Sequence, residues 1–592
     1  MLEHLFSRPF AYLYILLLAA DIHTYYVSPI PIYVIYTLLA ISILILIYCV
    51  LIRQYNIITP GLMICFFLVS YAYFANHYVQ ITNKHIDSEQ HQNHSVIVVH
   101  HSHQHTKHLS ILAECISTPK PFLIQLTQWN TCPIEKLYYG DTLMGAFNME
   151  RIYPSTHRQI SSFDRYLLHQ EIYYKGSSKC GNFRIHKNNR VHFKSIVQKS
   201  ADWIKNVLNK YQEQENPQNI ALLTGLLLGD KSLLDKSSKE LFTENGLSHI
   251  LAVSGMHLVF FFYLVQWCIK WGGRIGLHLS TSNEIVISLT LIWCYAMITG
   301  LGVAVLRAAL MLTIYKVACL IGRRSDPTNV LSGIALLLTM LNPMIPFDAG
   351  FQLTMASLAA LFWVNPMIQR VVNTVNPIVK YLWDLLSTCF CVQMVLSPIC
   401  IYHFEAFPVY FLLSNLLWIP LSSALMALGI LLVCMHQLSP SVARLIADAT
   451  GSLSEAGISY LQFLNKLPGS TLENLHIEVQ DCIFYYGILF ALLLIIRKGN
   501  LKYTCIWIFI EIATLSYYFH REKEITQRRC LAGYRTEFHL QVEVYHQGIC
   551  YTTHDFDKNM QRIRLRHGVN KVLLLDSLRM QNVIHSYFQT DQ

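Results

Sequence analysis

The chain is written in apolar blocks of about one bilayer thickness, and the polar interruptions between them carry most of its information. Apolar runs at 9–26, 30–52 and 57–79 open it. A second series follows at roughly 247–270, 283–302, 304–321, 328–343, 350–365, 381–402, 407–436, 482–496 and 503–519. A helix needs about 20 such residues to cross a hydrocarbon core, so these runs predict membrane segments. The run at 407–436 is too long for one simple span, and Pro408, Pro420 and Gly429 predict breaks or kinks in it. Between the two series, residues 80–194 change period. Short apolar stretches at 95–99 and 121–126 alternate with turn-rich ones, which predicts a small β domain. Over 195–218 the pattern turns helical, with Val197, Ala201, Ile204, Leu208 and Tyr211 on one face and Lys199, Lys205 and Lys210 elsewhere. Such a helix either lies on a membrane surface or packs against the β domain. The polar stretch 520–592 contains EFHLQVEVYHQGICYTTHDF and KVLLLD, which predict strands of a small α+β or β appendage.

Composition narrows the class. With 53% hydrophobic and 14% charged residues, a soluble globule is excluded in favour of a polytopic α-helical membrane protein with an inserted β domain. No removable signal peptide is read at the start. Arg8 and Arg53 flank the first segments on one side, which the positive-inside rule makes cytoplasmic, so the third segment delivers residues 80–194 to the outside. The net charge of +9 favours anionic partners, whether lipid headgroups or nucleic acid.

The β domain concentrates basic residues between Arg151 and Lys199 and interleaves them with aromatics. Trp129, Tyr138 and Tyr153, with Arg151 and Arg158, are therefore candidates for contacting single-stranded DNA, bases stacking on rings and phosphates meeting guanidinium groups. The competing reading makes those aromatics core or interfacial residues. An outside location permits a disulfide, expected as Cys132–Cys180 with Cys115 left over, although spacing leaves the pairing open. Most other cysteines stand singly in apolar runs, as small hydrophobes do, and no CxxC pair calls for structural zinc. HHSHQHTKH at 100–108 puts His101, His103 and His105 at alternate positions, so a metal site competes there with a surface hairpin or loop. The sequence calls for no metal and no cofactor.

The stretch 222–257, LLTGLLLGDKSLLDKSSKELFTENGLSHILAVSGMH, mixes apolar runs with polar residues that are costly within a bilayer and therefore face an interior or a pathway. Residues 219–229 are too short to span and predict a re-entrant or partly crossing helix. His249, Val253 and His257, at i, i+4 and i+8, are expected on one helical face, with Ser254 and Gly255 beside it. A Ser254/His257 nucleophile pair is the enzymatic alternative, but Ala252 stands where a rhomboid-like GxSG would need glycine and no orienting acid is specified.

ALLTGLLLGD (221–230) followed by FTENGLSHILAVSGMH (242–257) closely resembles the competence domain of the ComEC family of DNA-uptake channels. Further elements resemble that family in the same order: Arg307-Ala308-Ala309; Arg324, Asp326, Pro327 and Asn329; Asn342-Pro343; and FDAGFQLTMAS (347–357), where Thr354 replaces the usual serine. Phe404, Pro408, Asn415 and Pro420 resemble its distal part, and SFDRYLLHQEIYY (162–174) the segment closing its OB-fold domain.

The resemblance implies an extracytoplasmic OB-fold at 80–194, a channel domain at 219–519, and passage of single-stranded DNA across the cytoplasmic (inner) membrane during natural transformation. Asp230, Lys231, His249, Ser254, Gly255, His257, Arg307, Asp348, Phe351 and Gln352 are the residues expected beside the DNA path. Arg323 and Arg324 are expected near a cytoplasmic mouth or as positive-inside anchors. Longer members carry a metallo-β-lactamase-like nuclease domain. The stretch 520–592 is too short for one and lacks HxHxDH, so nuclease activity is not carried over. No GxxxxGK[ST] loop occurs, so energy is expected from a separate ATPase or from a gradient, and the resemblance implies a DNA receptor and a cytoplasmic ATPase or helicase as partners. The alternatives are a membrane hydrolase on Ser254/His257, a metal-dependent nuclease, and a transporter of another anionic polymer.

Overall fold

The fold is that of a computed structural model. It describes residues 9–26, 38, 64–76, 95–104, 108–116, 122–129, 137–145, 147–152, 174–177, 183–188, 192–211, 217–251, 253, 255–274, 279–322, 326–372, 374–473, 475, 477–498, 529–535, 540–546, 549–552 and 571–574, with isolated positions at 167, 170, 172 and between 507 and 517. The described chain divides into two compact units, one of residues 1–362 with 411–467, the other of residues 363–410 with 468–592.

In the first unit, α1 (Pro9–Tyr26) and α2 (Ile64–Asn76) stand where the first and third apolar runs predicted membrane segments. The second run, 30–52, lies outside the described residues apart from position 38. A curled sheet follows, of β1 (Ser95–Gln104), β2 (His108–Cys115), β3 (Phe122–Trp129), β4 (Thr142–Gly145), β5 (Asn148–Arg151), β6 (Tyr174–Ser177) and β7 (Phe183–His186). Its order is β5-β6-β3-β2-β1-β4-β7, antiparallel except for β3 beside β6. Only Ala146 and Phe147 separate β4, which pairs with β1, from β5, which pairs with β6. One bent segment thus serves both flanks of a β1-β2-β3-β6 sheet, which makes it curl. Ile97, Val99, Ile111, Ala113, Ile124 and Leu126 alternate along three strands into its core, and Cys115 is buried with them.

Helix α3 (Phe193–Asn209) leads into α4 (Pro217–Leu228), α5 (Lys236–Glu244), α6 (Gly255–Arg274), α7 (Thr281–Ile298), α8 (Val303–Leu320), α9 (Pro327–Leu341) and α10 (Ala349–Ala359). The stretch expected to be re-entrant is α4, with all ten residues from Asn219 to Leu228 buried. It sits against α13 (Phe411–Leu438) and α14 (Pro440–Asn465). Of the expected breaks, Pro408 falls in a short strand, Ala406–Pro408, ahead of the helix, whereas Pro420 and Gly429 lie inside one continuous helix, α13. Packing accounts for this. Gly429 is the point of closest approach to α4, where a Cβ would meet Leu227 Cδ1 at 2.8 Å and Leu223 Cδ1 at 2.9 Å.

The apolar pattern did not single out α14, because Arg444, Asp448 and Glu455 interrupt it. Its buried stripe is instead rich in small residues, Ala443, Ala447, Thr450, Gly451, Ser454 and Gly457, beside Ile446, Leu461 and Leu464. They let it lie close to α13, with Gly457 seated on Trp418.

The second unit contains α11 (Asn365–Gln369), α12 (Pro377–Phe404), β8 (Ala406–Pro408), β9 (Thr471–Glu473) and α15 (Val479–Lys498). It also holds a sheet of β10 (Arg529–Arg535), β11 (Leu540–His546), β12 (Ile549–Thr552) and β13 (Lys571–Leu574), three of these strands lying in the stretches read as strands. Among the described residues, five helices are long and apolar enough to cross a membrane: 281–298, 349–369, 377–404, 411–438 and 479–496. With the shorter apolar helices at 13–23, 64–76, 217–228 and 327–341, they make this a multi-pass membrane protein.

Pro398 lies inside α12 and cannot donate to the carbonyl of Met394 four residues earlier. The Tyr485 hydroxyl of α15 donates to that oxygen at 2.8 Å, and Tyr486 donates to the carbonyl of Val395, also at 2.8 Å. In lipid no water would replace them. Tyr485→Phe is expected to cost about 1 kcal/mol, read as a lowered thermal midpoint of the detergent-solubilised protein. Tyr381→Phe, which removes an exposed hydroxyl, serves as the control.

Candidate functional site

Two places gather the chemistry singled out in the sequence, one in the helical bundle and one on the curled sheet. The first begins where α4 ends. Gly229 takes φ +75°, a left-handed conformation that glycine adopts without strain, and terminates the helix. Asp230 follows, buried, with Oδ1 accepting from the Ser232 amide at 2.9 Å and Oδ2 from Lys205 Nζ at 2.5 Å. Burial alone would raise its pKa. The charge and hydrogen bond of Lys205, helped by Ser232, outweigh that and hold the carboxyl well below the ordinary carboxylate range. Lys231 is half-buried, and loss of solvent followed by the nearby Lys239 charge lowers its pKa.

Asp235 caps α5 by accepting from the Ser238 amide at 3.0 Å. Gly246, at φ +73°, then turns the chain out of that helix. Here the expectation of one helical face is overturned. Residues 247–251 form turns and α6 starts only at Gly255, so His249 and His257 do not share a helix. The cause is local. Gly246 ends α5, Leu247, Ile250, Leu251 and Val253 are buried in the core, and His249 is left exposed while His257 is 1% exposed at the start of α6. Ser254 lies outside the described residues. Gly255 is the close contact between α6 and α8, since a Cβ there would meet Ala308 Cβ at 3.3 Å.

Arg307 on α8 is also only 1% exposed. The FDAGFQLTMAS stretch builds its seat. Nη2 donates to the Gly350 carbonyl at 2.9 Å and to Thr354 Oγ1, and the guanidinium lies over the Phe351 ring at 5.5 Å. Gln352 donates to the Pro346 carbonyl at 2.9 Å and so holds the turn before α10, while the Asp348 carboxylate acts on the arginine charge. Nε and Nη1 of Arg307 have no hydrogen-bond partner among the described residues. A buried guanidinium with two such edges is costly unless an anion meets it. Of the residues expected beside a path, Arg307, Asp348, Phe351 and Gln352 thus come together. The sequence signal for Gly350 and Thr354 was the motif itself, but not their hydrogen bonds to arginine.

The second place is a turn on the sheet. Asp141 accepts from the amides of Tyr138 at 2.8 Å and Asn188 at 3.0 Å. Gly140 at φ +92° lets the chain reverse, and its amide donates to the Val99 carbonyl at 2.9 Å. Beside this turn is an open cavity of about 430 Å³ lined by Val98, Tyr139, Gly140, Thr142, Asn188 and His192. Helix α3 supplies its cations: Lys194 Nζ lies 4.6 Å from the Tyr139 ring centre and Lys199 Nζ 5.7 Å from that of Tyr138. Gln198 of the same helix accepts from the Tyr139 amide at 2.8 Å.

The Tyr138 side named in the sequence, with its neighbour Tyr139, is therefore basic and aromatic, while Asn188, His192, Lys194 and Lys199, which join it there, were not named for it. They come from two sequence segments that only the fold joins. Arg151 and Trp129 end β5 and β3, and Tyr153, Arg158, Cys132, Cys180 and His105 lie outside the described residues, as do Arg323 and Arg324. His101 and His103 fall on β1 in a β1–β2 hairpin. No group of three metal-binding side chains occurs among the described residues.

Residues 226–499 match the family model described as "Competence protein". Residues 226–499 thus carry a competence-family domain. It is 26% identical over 208 residues to ComE operon protein 3 of Bacillus subtilis, covering 34% of this chain and 25% of that protein. It is 20% identical over 213 residues to Recombination protein 2 of Haemophilus influenzae, covering 35% and 27%. An uncharacterised Escherichia coli protein, YcaI, is 23% identical over 210 residues, covering 35% and 28%. The matched part of the chain thus spans about a quarter of each of these relatives. No solved structure matches the chain.

Asp230→Asn is expected to lower stability by roughly 1–3 kcal/mol, less than the ~3–5 of a fully buried pair, because Lys205 keeps 26% of its side chain exposed. Since the folded-state pKa of Asp230 is depressed, its contribution is present above the unfolded value of about 3.9 and is lost as pH falls through the folded one. Thermal midpoints measured from pH 7 downward should therefore fall more steeply in wild type than in Asp230→Asn.

Proposed function

We propose that this chain is an inner-membrane channel that passes single-stranded DNA into the cytoplasm during natural transformation. The observation that carries the reading is Arg307, a buried cation inside a competence-family bundle whose Nε and Nη1 have no hydrogen-bond partner among the described residues, a cost that a functional anion would offset. Phosphodiesters are the anions that a DNA path presents. Relatives named ComE operon protein 3 and Recombination protein 2 fit the same reading.

In this account the curled sheet is an OB-fold-like domain on the outer side of the membrane. A β1-β2-β3 meander, a parallel β3–β6 pair and one bent strand shared between β1 and β6 agree with a small five-stranded barrel. The turn at Tyr138 and Tyr139 offers ring faces for bases and the lysines of α3 offer charge for phosphates. Helix α3 lies at the interface, with Phe193, Ile196 and Trp203 exposed along one side. The lipid bilayer surrounds the bundle, a DNA receptor hands over the strand, and a cytoplasmic ATPase or helicase draws it in. The channel itself performs no catalysis.

A strain lacking the chain should take labelled DNA as far as the outer face and no further. DNA that still reaches the cytoplasm in that strain overturns the channel reading. Arg307→Gln, present at wild-type level in the membrane, is expected to lower transformation at least tenfold, about 1.4 kcal/mol in the limiting step. Arg307→Lys should retain part of the activity, since it keeps the charge but not the planar fork.

A further inference from the structure

In the second unit, α11 ends at Gln369 and α12 begins at Pro377, and the turn between them joins two helical stretches that are each long enough to cross a bilayer. Such a turn sits at the level of lipid headgroups. Its outer side chains are bare: Val375 is 102% exposed, Val371 74%, Ile378 69% and Tyr381 58%. Water is a poor medium for that many apolar groups, and acyl chains with an aromatic at the boundary are a good one. Beside them lies a cavity of about 480 Å³, lined by Gln369, Arg370, Thr374, Lys380 and Asp384 among others. The cations outnumber the carboxylate by one. No ion pair joins Lys380 or Arg370 to Asp384 among the described residues, so both cations remain available. The first amides of α12 are already taken by the Asn376 side chain, leaving the cavity's charge to the two side chains. The Trp383 indole donates to the Gln369 carbonyl at 3.2 Å and ties the start of α12 to the end of α11, so the walls are held together.

We propose that this cavity is a binding site for the headgroup of an anionic phospholipid, of the phosphatidylglycerol kind. The phosphate meets Arg370 and Lys380, a headgroup hydroxyl donates to Asp384, and the acyl chains run along α12 past Tyr381 and Leu382. A zwitterionic choline headgroup fits poorly, because its cation would face Arg370 and Lys380 and has no N–H to give Asp384. The site depends on the membrane location of the chain and on nothing about DNA.

The test is native mass spectrometry of the full chain, exchanged into neutral detergent and offered phosphatidylglycerol, phosphatidylcholine or inorganic phosphate. At least tenfold greater retention of phosphatidylglycerol than of phosphatidylcholine is expected. Arg370→Gln with Lys380→Gln should bring retention down to the phosphatidylcholine level, and Arg370→Lys should keep most of it. Both cations are exposed, so the variants should keep the wild-type thermal midpoint, measured in parallel. Equal retention of both lipids, or undiminished retention by the double variant, overturns the site. Displacement of phosphatidylglycerol by millimolar inorganic phosphate assigns the pocket to free anions and equally overturns the lipid.

Discussion

Burial of α4 on every side is the constraint around which the bundle is built. A twelve-residue helix cannot cross a bilayer, yet Asn219 to Leu228 have no exposed face, so neighbouring elements must supply both its packing and its hydrogen bonds. They do so in different ways. Thr224 returns its hydroxyl to the Ile220 carbonyl within the helix, whereas Asn219 reaches Glu455 on α14 at 3.3 Å. Gly429 lets α13 close on Leu223 and Leu227, and the Lys205–Asp230 pair fastens α3 to the exit of α4. The competence-type GLLLGD stretch is therefore a structural centre, and its aspartate holds a neighbouring helix in place.

Arg307 obeys a different balance. Its seat spends one nitrogen on Gly350 and Thr354 and one ring face on Phe351, which offsets only part of the cost of removing a guanidinium from water. The remaining cost is what separates this residue from Asp230, whose charge is met in full by Lys205 and Ser232. Both are buried ions in one bundle, one answered by its neighbours and the other left partly open.

Much of this was legible in the sequence because membrane helices are written in length and hydropathy. Runs near 283–302, 381–402 and 482–496 became α7, α12 and α15 within a few residues. What escaped depended on neighbours. Small residues make α14 a packing surface only once α13 lies beside it, and Pro420 lies inside α13 without ending it. His249 and His257 shared a face on paper, but residues 248–250 form a turn and α6 starts only at Gly255. The sheet cavity was illegible for a simpler reason: Tyr139 and His192 stand more than fifty positions apart, and no local pattern links them.

Helix α3 carries one mechanical consequence. Gln198 fixes it to the Tyr139 turn of the sheet, while Leu208 is wholly buried among residues of α4, α13 and α14. The two anchorages are ten positions apart on continuous helix, a length of about 15 Å. The helix is therefore a strut rather than a tether. A tug on the sheet would reach the bundle as a push or a twist along a stiff rod, delivered close to the Lys205–Asp230 joint, with little slack to absorb it.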